Sequence, residues 1–228
     1  VLLFVFLRIH KLDESFSFQN DAGRDLLTLQ DWQETWKPPL LGPQTSFIAF
    51  NQSPFYFYLF FPIFILTHSY FTTQYTLVII YCLLFLIGVY VFRKKFEYLI
   101  PLSISFFLIA IHPQFILQHR FVWNPSFITV FLAASFFIFL AVQKKYSRKN
   151  IFLFGLMLAL AIGMSISVAP AVIAYVILSI FIFGKKSWQL LASFITSLLF
   201  VFLPVLLFEL KYSFQITRRI FVYSYFSE

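Results

Sequence analysis

The sequence predicts an all-α fold: a polytopic transmembrane helical bundle with a long first extracytoplasmic loop that carries short interfacial helices. Hydrophobic residues make up 61% of the 228 residues and charged residues only 11%, whereas soluble domains average roughly 45–50% and about 25%. The apolar residues form long runs, and short basic clusters separate these runs. A chain of this composition cannot hide its apolar surface from water and therefore needs a membrane as part of its solvent.

Charge and cysteine content exclude other classes of protein. The net charge of +8 does not indicate a nucleic-acid partner, because the basic residues lie between apolar runs in the positive-inside pattern of membrane proteins. A single cysteine, Cys82, excludes a disulfide scaffold and a zinc site built from several cysteines. No metal-ligand spacing stands out, so neither a metal nor a cofactor is predicted.

The chain begins with an apolar run, residues 1–9, that is shorter than the about 20 residues needed to cross a bilayer. We interpret it as the end of a span that leaves the cytoplasm, and residues 1–228 as the incomplete N-terminal module of a larger membrane protein. Arg8, His10 and Lys11 then lie near the outer end of that span, against the usual cytoplasmic excess of basic residues.

Residues 10–54, the first outer loop, form the one long polar segment and contain six of the nine acidic residues. Long loops in compact proteins are usually functional or disordered. Tryptophans and turn-forming residues are mixed in this loop, which favours an ordered segment with short helices, such as one over Asp25 to Thr35.

Apolar runs follow this loop, and three basic clusters lie between them. The positive-inside rule places the clusters in the cytoplasm. The runs cover residues 55–67, 75–92, 98–118, 122–142, 151–164, 167–183 and 188–208, and the clusters are Arg93 to Lys95, Lys144-Lys145 with Arg148-Lys149, and Lys185-Lys186.

Counting crossings between the clusters gives the direction of each run. Residues 98–142 start and end at cytoplasmic clusters, so they are expected to cross twice and to turn outside at His119 to Pro125. Residues 150–183 also start and end inside, and at about 1.5 Å of helix per residue they are too long for one span. They are therefore predicted to break at Ser165 to Ser167, and the last run then leads outside.

The same count prevents residues 55–67 from crossing, because the segments on both sides of this run are expected outside. The run is also short for a span and contains Pro62. We predict an interfacial or re-entrant helix, whose aromatic residues from Phe55 to Tyr58 suit the level of the lipid headgroups.

The position of the polar residues distinguishes the possible functions. Ion pumps and proton-coupled transporters carry ionisable side chains in mid-membrane, whereas the central parts of these apolar runs have none. Polar residues instead gather on the predicted outer face. This distribution favours an enzyme acting on a lipid-anchored substrate, with a transporter or lipid flippase and a scaffold protein as alternatives.

Motifs in three predicted outer segments resemble those of a known family. They are Phe18 to Asp25 with Leu40 to Ser46 and Ser53 to Tyr58, then Arg120 with Trp123 to Ser126, and finally Pro204 with Phe208 to Lys211. In this order they resemble bacterial membrane glycosyltransferases of the GT-C type, in the broad family of the dolichyl-phosphate-mannose protein mannosyltransferases and the lipid A aminoarabinose transferase. The resemblance extends over nearly the whole chain.

The resemblance implies an inverting glycosyltransferase of the cell membrane, in a bacterium the inner membrane, with an extracytoplasmic active site. Its expected donor is a polyprenyl-phosphate-linked sugar, and its acceptor a lipid, a glycan or a protein. Residues 1–228 would then be the N-terminal part of the transmembrane catalytic module. No cofactor and no nucleic acid is expected.

Such a transfer needs one carboxylate as general base, because the phosphate leaves as a stable anion. Asp21 is the predicted base: it follows the first span closely, and it occupies the position of the essential acid in the resembled motif. Asp25 is the second catalytic candidate. The alternative role for Asp21 is to cap a short helix that begins near Arg24.

The remaining candidates are predicted to bind substrate. Cations can pair with the donor phosphate, Trp123 can stack on a sugar, and Arg24 can orient the base or the sugar. Snorkelling cations, an interfacial tryptophan, an Asn-Pro helix cap at Asn124 and a Glu209–Lys211 pair are the structural alternatives. The predicted substrate-binding residues are Arg24, Arg120, Trp123, Asn124, Glu209 and Lys211.

Overall fold

The computed structural model describes residues 1–15, 20–45, 50–93, 99–184 and 187–226, and α-helices make up most of them. Within these ranges there is no β-strand beyond an isolated bridge between Gln44 and Asn51, so the predicted all-α bundle is confirmed. The helices are α1 (Leu2–Ile9), α2 (Asn20–Thr35), α3 (Phe55–Thr67), α4 (Tyr70–Phe92), α5 (Leu99–Ile111), α6 (Pro113–Arg120), α7 (Ser126–Lys144), α8 (Arg148–Met164), α9 (Ala169–Phe183), α10 (Ser187–Lys211) and α11 (Gln215–Phe226).

Several sequence features of the predictions lie outside the described residues. They are Phe18, Gln19 and Ser46 of the motifs, and Lys94, Lys95, Lys185 and Lys186 of the basic clusters.

Four of the described helical segments are long and apolar enough to cross a membrane. Three of them belong to α4, α7 and α10, and the fourth joins a 3-10 turn, Ile166–Val168, to α9. Much of their apolar surface is exposed, as expected for side chains that face lipid. The chain is therefore a multi-pass membrane protein.

Helix α8 is the centre of the bundle, and α7 and α10 pack along it. A Cβ atom at Gly155 would lie 2.5 Å from Ser193 Oγ, and one at Gly163 would lie 2.7 Å from Val201 Cγ1. Gly155 and Gly163 are eight residues apart in α8, and their contacts Ser193 and Val201 are also eight residues apart in α10. The two helices therefore run side by side in the same direction. Two glycines thus permit a close approach that any larger residue would prevent.

Helix α3 directs several of its aromatic side chains into the protein. Tyr56 and Phe57 are buried, because α3 packs against α2, α4 and α8. The ring of Trp32 from α2 stacks on Phe61 of α3 with centroids 3.7 Å apart. At 13 residues α3 is shorter than the spanning helices.

The helix of the first outer loop begins earlier than predicted. The expected start was Asp25, but α2 starts at Asn20. Asp21 therefore lies in the first turn, where a negative charge is favourable near the helix N-terminus. Its pairing with Arg24, three residues later, adds support to this turn.

The predicted single crossing over 98–118 is divided into α5 and α6. His112 adopts an extended conformation (φ −65°, ψ 123°), because the proline that follows it disfavours a helical residue. Pro113 lacks an N–H for the Ile109 carbonyl, and Gln114 N–H donates to His112 Nδ1 instead of the Ala110 carbonyl. The end of α5 therefore has two carbonyls that need donors from elsewhere.

Arg8 of α1 supplies these donors. Its Nη2 donates to Ile109 O at 2.9 Å and its Nη1 to Ala110 O at 3.0 Å, while its Nε donates to His119 Nδ1 at 2.9 Å. Arg8 is completely buried. The apolar runs of the sequence place this basic residue near the outer end of the first span, against the positive-inside rule. In the structure its side chain is directed into the protein, where it bonds to the end of α5.

The predicted orientation can be checked by cysteine accessibility. In a Cys82→Ser background, single cysteines at the exposed positions Gln44 and Ser213 should react with a membrane-impermeant thiol reagent in intact cells. A cysteine at Ser147, beside the basic residues that precede α8, should react only after permeabilisation. Labelling of position 147 in intact cells would reverse the assignment.

Candidate functional site

A cavity of about 660 Å³ opens where four separate parts of the chain meet. The first outer loop, the turn before α7, the break between α8 and α9, and α11 each contribute to its wall. The count of crossings predicted all four segments on the same side of the membrane. Its lining residues are Asp21, Arg24, Pro43, Gln44, Thr45, Phe50, Gln52, Trp123, Asn124, Pro125, Ser165, Ile166, Ser167 and Ile220.

The loop wall of the cavity is held in place by backbone contacts around Gly42 and Ser53. Gly42 N–H donates to Gln52 O at 2.9 Å, and a Cβ atom at position 42 would lie 2.3 Å from the Ser53 carbonyl oxygen. Ser53 N–H donates to Gly163 O at 3.2 Å, and its Oγ donates to Val201 O at 2.7 Å. The loop is thus fixed to both α8 and α10.

The break between α8 and α9 forms the opposite wall, at the residues where the sequence predicted it. Ser165 is extended (φ −158°, ψ 125°), which ends α8, and Pro170 lies in the first turn of α9, where proline is tolerated. The Oγ atoms of Ser165 and Ser167 lie 2.8 Å apart, and both residues line the cavity.

An arginine flanked by two carboxylates lies at the start of α2. Arg24 Nη1 donates to Asp21 Oδ1 at 2.8 Å, while its Nη2 and Nε donate to Asp25 Oδ1 at 2.7 and 3.0 Å. The Asp25 side chain is 1% exposed, whereas those of Arg24 and Asp21 are 37% and 46% exposed. Asp21 therefore faces the cavity, and Asp25 supports Arg24 from behind.

The surroundings shift the pKa values of the two inner members of this group. Burial raises the pKa of Asp25, and the opposing effects of Arg24 and the Tyr56 hydroxyl do not cancel it. For Arg24, burial lowers the pKa, but the two neighbouring carboxylates, Asp25 first, raise it above its ordinary value. Arg24 is therefore a permanent cation in this site.

Asn124 connects the walls of the cavity. Its Nδ2 donates to the Met164 carbonyl at the end of α8 at 2.6 Å and to the side-chain oxygen of Gln52 in the loop. The residue is buried, and the N-cap position of α7 is Pro125 instead of Asn124. The Asn124 side chain therefore joins the cavity walls and does not act as the N-cap of α7.

Trp123 is 41% exposed, whereas the neighbouring Asn124 is buried. It lines the cavity, and its ring meets the edge of Phe121 at a centroid distance of 6.2 Å. An exposed indole beside a polar pocket can stack on a sugar ring or lie at the lipid headgroups. Both predicted roles are compatible with this position.

Three predicted substrate-binding residues lie outside the lining of this cavity. Arg120 Nη2 donates to the Lys11 carbonyl at 2.8 Å, which ties α6 to the chain after α1. Lys211 Nζ lies 5.1 Å from the centroid of the Tyr212 ring.

Glu209 is the third of them, and it caps α11 rather than pairing with Lys211. Its Oε1 accepts from Ile216 N–H at 2.8 Å, and its Oε2 accepts from Thr217 N–H at 3.0 Å and from Thr217 Oγ1 at 2.5 Å. Such a bond to the first helical N–H groups is the usual role of a capping carboxylate. Through α11, which carries Ile220, Glu209 shapes one edge of the cavity.

Sequence reasoning missed Gln52, Ser53 and Ser165 as site-forming residues. The available signal for Gln52 and Ser53 was Gly42-Pro43 and Ser53-Pro54, two turn-forming pairs in the first outer loop. Within the described ranges, no group of three or more His, Cys, Asp or Glu side chains could hold a metal ion.

Comparisons with known proteins leave the family of this chain open. No family model, no curated protein and no solved structure matches it. The function of the cavity must therefore be inferred from its side chains, their charges and their place in the bundle.

Proposed function

We propose that the cavity binds the sugar phosphate of a polyprenyl-phosphate-linked donor, and that Asp21 is the general base for inverting transfer of the sugar to an acceptor. The chain would thus be a GT-C type glycosyltransferase of the cell membrane with an extracytoplasmic site. The observation that carries the proposal is a half-exposed carboxylate, oriented by an arginine, inside a cavity of a multi-pass membrane protein.

The chemistry requires one proton acceptor and room for the acceptor hydroxyl, the sugar and its phosphate. An acceptor hydroxyl gives its proton to Asp21 while its oxygen forms a bond to the anomeric carbon. The bond between that carbon and the phosphate oxygen breaks, and its electron pair leaves with polyprenyl phosphate. No carboxylic acid is needed to protonate the leaving group, in contrast to glycoside hydrolysis, where two carboxyl groups act together.

The charge of the Asp21–Arg24–Asp25 group suits a base. Two carboxylates and one guanidinium leave one negative charge in excess. Because Arg24 gives two of its three hydrogen bonds to Asp25, it compensates the charge of Asp21 only in part. Asp25 is accordingly a positioning residue for Arg24 rather than a second base.

The surroundings of the cavity suit a donor with a lipid tail. Phe50, Pro43 and Ile166 line its apolar part, and Ile166 is 43% exposed. The exposed apolar side chains of α9, such as Ile173 and Ile177, continue from this edge along the bundle. A polyprenyl chain can follow this surface while the sugar phosphate occupies the polar end.

The full-length protein in proteoliposomes provides the test. A panel of synthetic polyprenyl-phosphate-linked hexoses and pentoses is supplied together with a membrane extract as the source of acceptors. Release of free polyprenyl phosphate, matched by labelled sugar in an acceptor, would support the proposal. Movement of the intact donor across the bilayer without cleavage would instead identify a flippase, and no turnover of any donor would overturn the transferase.

Asp25→Asn tests the positioning role. The substitution keeps the shape but leaves Arg24 to pair with Asp21 alone, so we expect a roughly tenfold fall in transfer rate, which is smaller than the 10²-fold or more expected for loss of the base itself. Release of polyprenyl phosphate measures the rate, and thermal unfolding verifies that the variant is folded. An unchanged transfer rate in the folded variant would remove Asp25 from the site.

A further inference from the structure

A second concave surface, of about 370 Å³, lies between the first turns of α8 and α10. It is at the opposite end of α8 from the candidate active site, which adjoins Met164 and Ser165. Its lining combines the apolar side chains of Ile151, Phe152 and Ala192 with those of Arg148, Trp188, Gln189 and Ser193. We call this surface the basic-end groove.

The groove ends where α8 and α10 approach each other closely. At Gly155 the α8 backbone nearly contacts α10 around Ser193, and Ser193 Oγ donates to Ile151 O at 3.0 Å. Below this point the small side chain of Ala192 leaves room between the helices. Phe152 and Trp188 are 50% and 65% exposed, so the groove opens toward the lipid side of the bundle.

The charge around the groove has a single sign. The sequence contains no acidic residue from position 98 to position 208, and Lys144, Lys145 and Lys149 are exposed close to Arg148 in the chain. In the described part of the chain Arg148 forms no ion pair. A cation, apolar side chains and an exposed indole that line the same groove match the phosphate, acyl chain and interfacial region of a phospholipid.

We propose that the basic-end groove binds an anionic phospholipid of the adjacent leaflet, with its phosphate on Arg148 and an acyl chain along Ile151, Phe152 and Ala192. Gln189 can donate to the headgroup, and Trp188 lies at the glycerol level. Basic pockets between transmembrane helices on the cytoplasmic side are known to take such headgroups. This site is independent of the proposed glycosyl transfer and would remain if that proposal failed.

The test uses the full-length protein in phosphatidylcholine vesicles that contain a small fraction of phosphatidylglycerol with brominated acyl chains. Bromine quenches nearby tryptophan fluorescence, so selective binding should produce more quenching than the same fraction of brominated phosphatidylcholine. Arg148→Gln should lower this selectivity about fivefold, since one basic residue near an anionic surface contributes about that factor. Arg148→Lys should retain a large part of it.

Arg218→Gln, the same change at an exposed position on α11, is the matched control and should leave the selectivity unchanged. Equal quenching by the two brominated lipids would overturn the proposal, as would selectivity that survives Arg148→Gln. Displacement by soluble glycerol phosphate would show a general phosphate site instead of a lipid site. Unchanged thermal unfolding of the variants in phosphatidylcholine verifies that they are folded.

Discussion

Asp21→Asn in the full-length protein is expected to lower the rate of sugar transfer by about 10²-fold or more, because an amide cannot accept the acceptor's proton. Asparagine has nearly the same size, and it can accept a hydrogen bond from Arg24 in place of the carboxylate. Insertion into the membrane, extraction and thermal unfolding should therefore stay close to those of the unchanged protein. Release of polyprenyl phosphate from the donor measures the effect.

Asp31→Asn is the matched control for this experiment. Asp31 lies in the same helix and is exposed, but it does not line the cavity, so its substitution should leave transfer unchanged. Near-normal turnover of Asp21→Asn would leave Asp21 with a purely structural role at the start of α2. A large loss in both variants would point to a general requirement for negative charge on α2.

Arg8→Met is expected to cause the largest loss of stability. Methionine fills a similar volume but donates no hydrogen bond, so the carbonyls of Ile109 and Ala110 lose their donors. A buried polar group without its partner costs about 1–3 kcal/mol, and two such groups should lower the free energy of unfolding by at least about 2 kcal/mol. For a chain of this length, each kcal/mol corresponds to roughly 2–4 °C in Tm.

Thermal unfolding of the detergent-solubilised protein measures this effect. Arg219→Met, at an exposed position on α11, makes the same chemical change and should leave Tm nearly unchanged. Arg8→Lys should fall between the two, because an ammonium group cannot reproduce the fork that joins two carbonyls and His119. Equal unfolding temperatures for Arg8→Met and Arg219→Met would contradict the role assigned to Arg8.

Those features of the fold that depend on local chemistry could be predicted from the sequence. The break at Ser165 follows from the length of the run and from Pro170, and the four spanning segments follow from hydropathy. The gathering of Asp21, Arg24, Trp123 and Asn124 at one cavity agrees with the common face that the count of crossings gave them.

The remaining features depend on contacts between distant parts of the chain. The burial of Arg8 could not be predicted, because it requires two carbonyls that Pro113 leaves without donors in a helix far along the sequence. The inward face of α3 follows from packing against α2 and α8, whereas its composition alone suits a headgroup position equally well. Glu209 was assigned to substrate because the capping of α11 is invisible without the turn that follows α10.

The bonds of Ser53 to the Gly163 and Val201 carbonyls have an evolutionary consequence. A Cβ atom at Gly163 would lie 3.2 Å from the Ser53 Cβ and 2.7 Å from a Val201 methyl, so these three positions share one small volume. Because the approach to Val201 is the closer of the two, a homologue that gains a side chain at 163 is expected to carry a smaller residue at 201 and to shift the loop slightly at Ser53. Substitutions in α8 and α10 at this contact therefore affect the first outer loop, and we expect the three segments to change together in evolution.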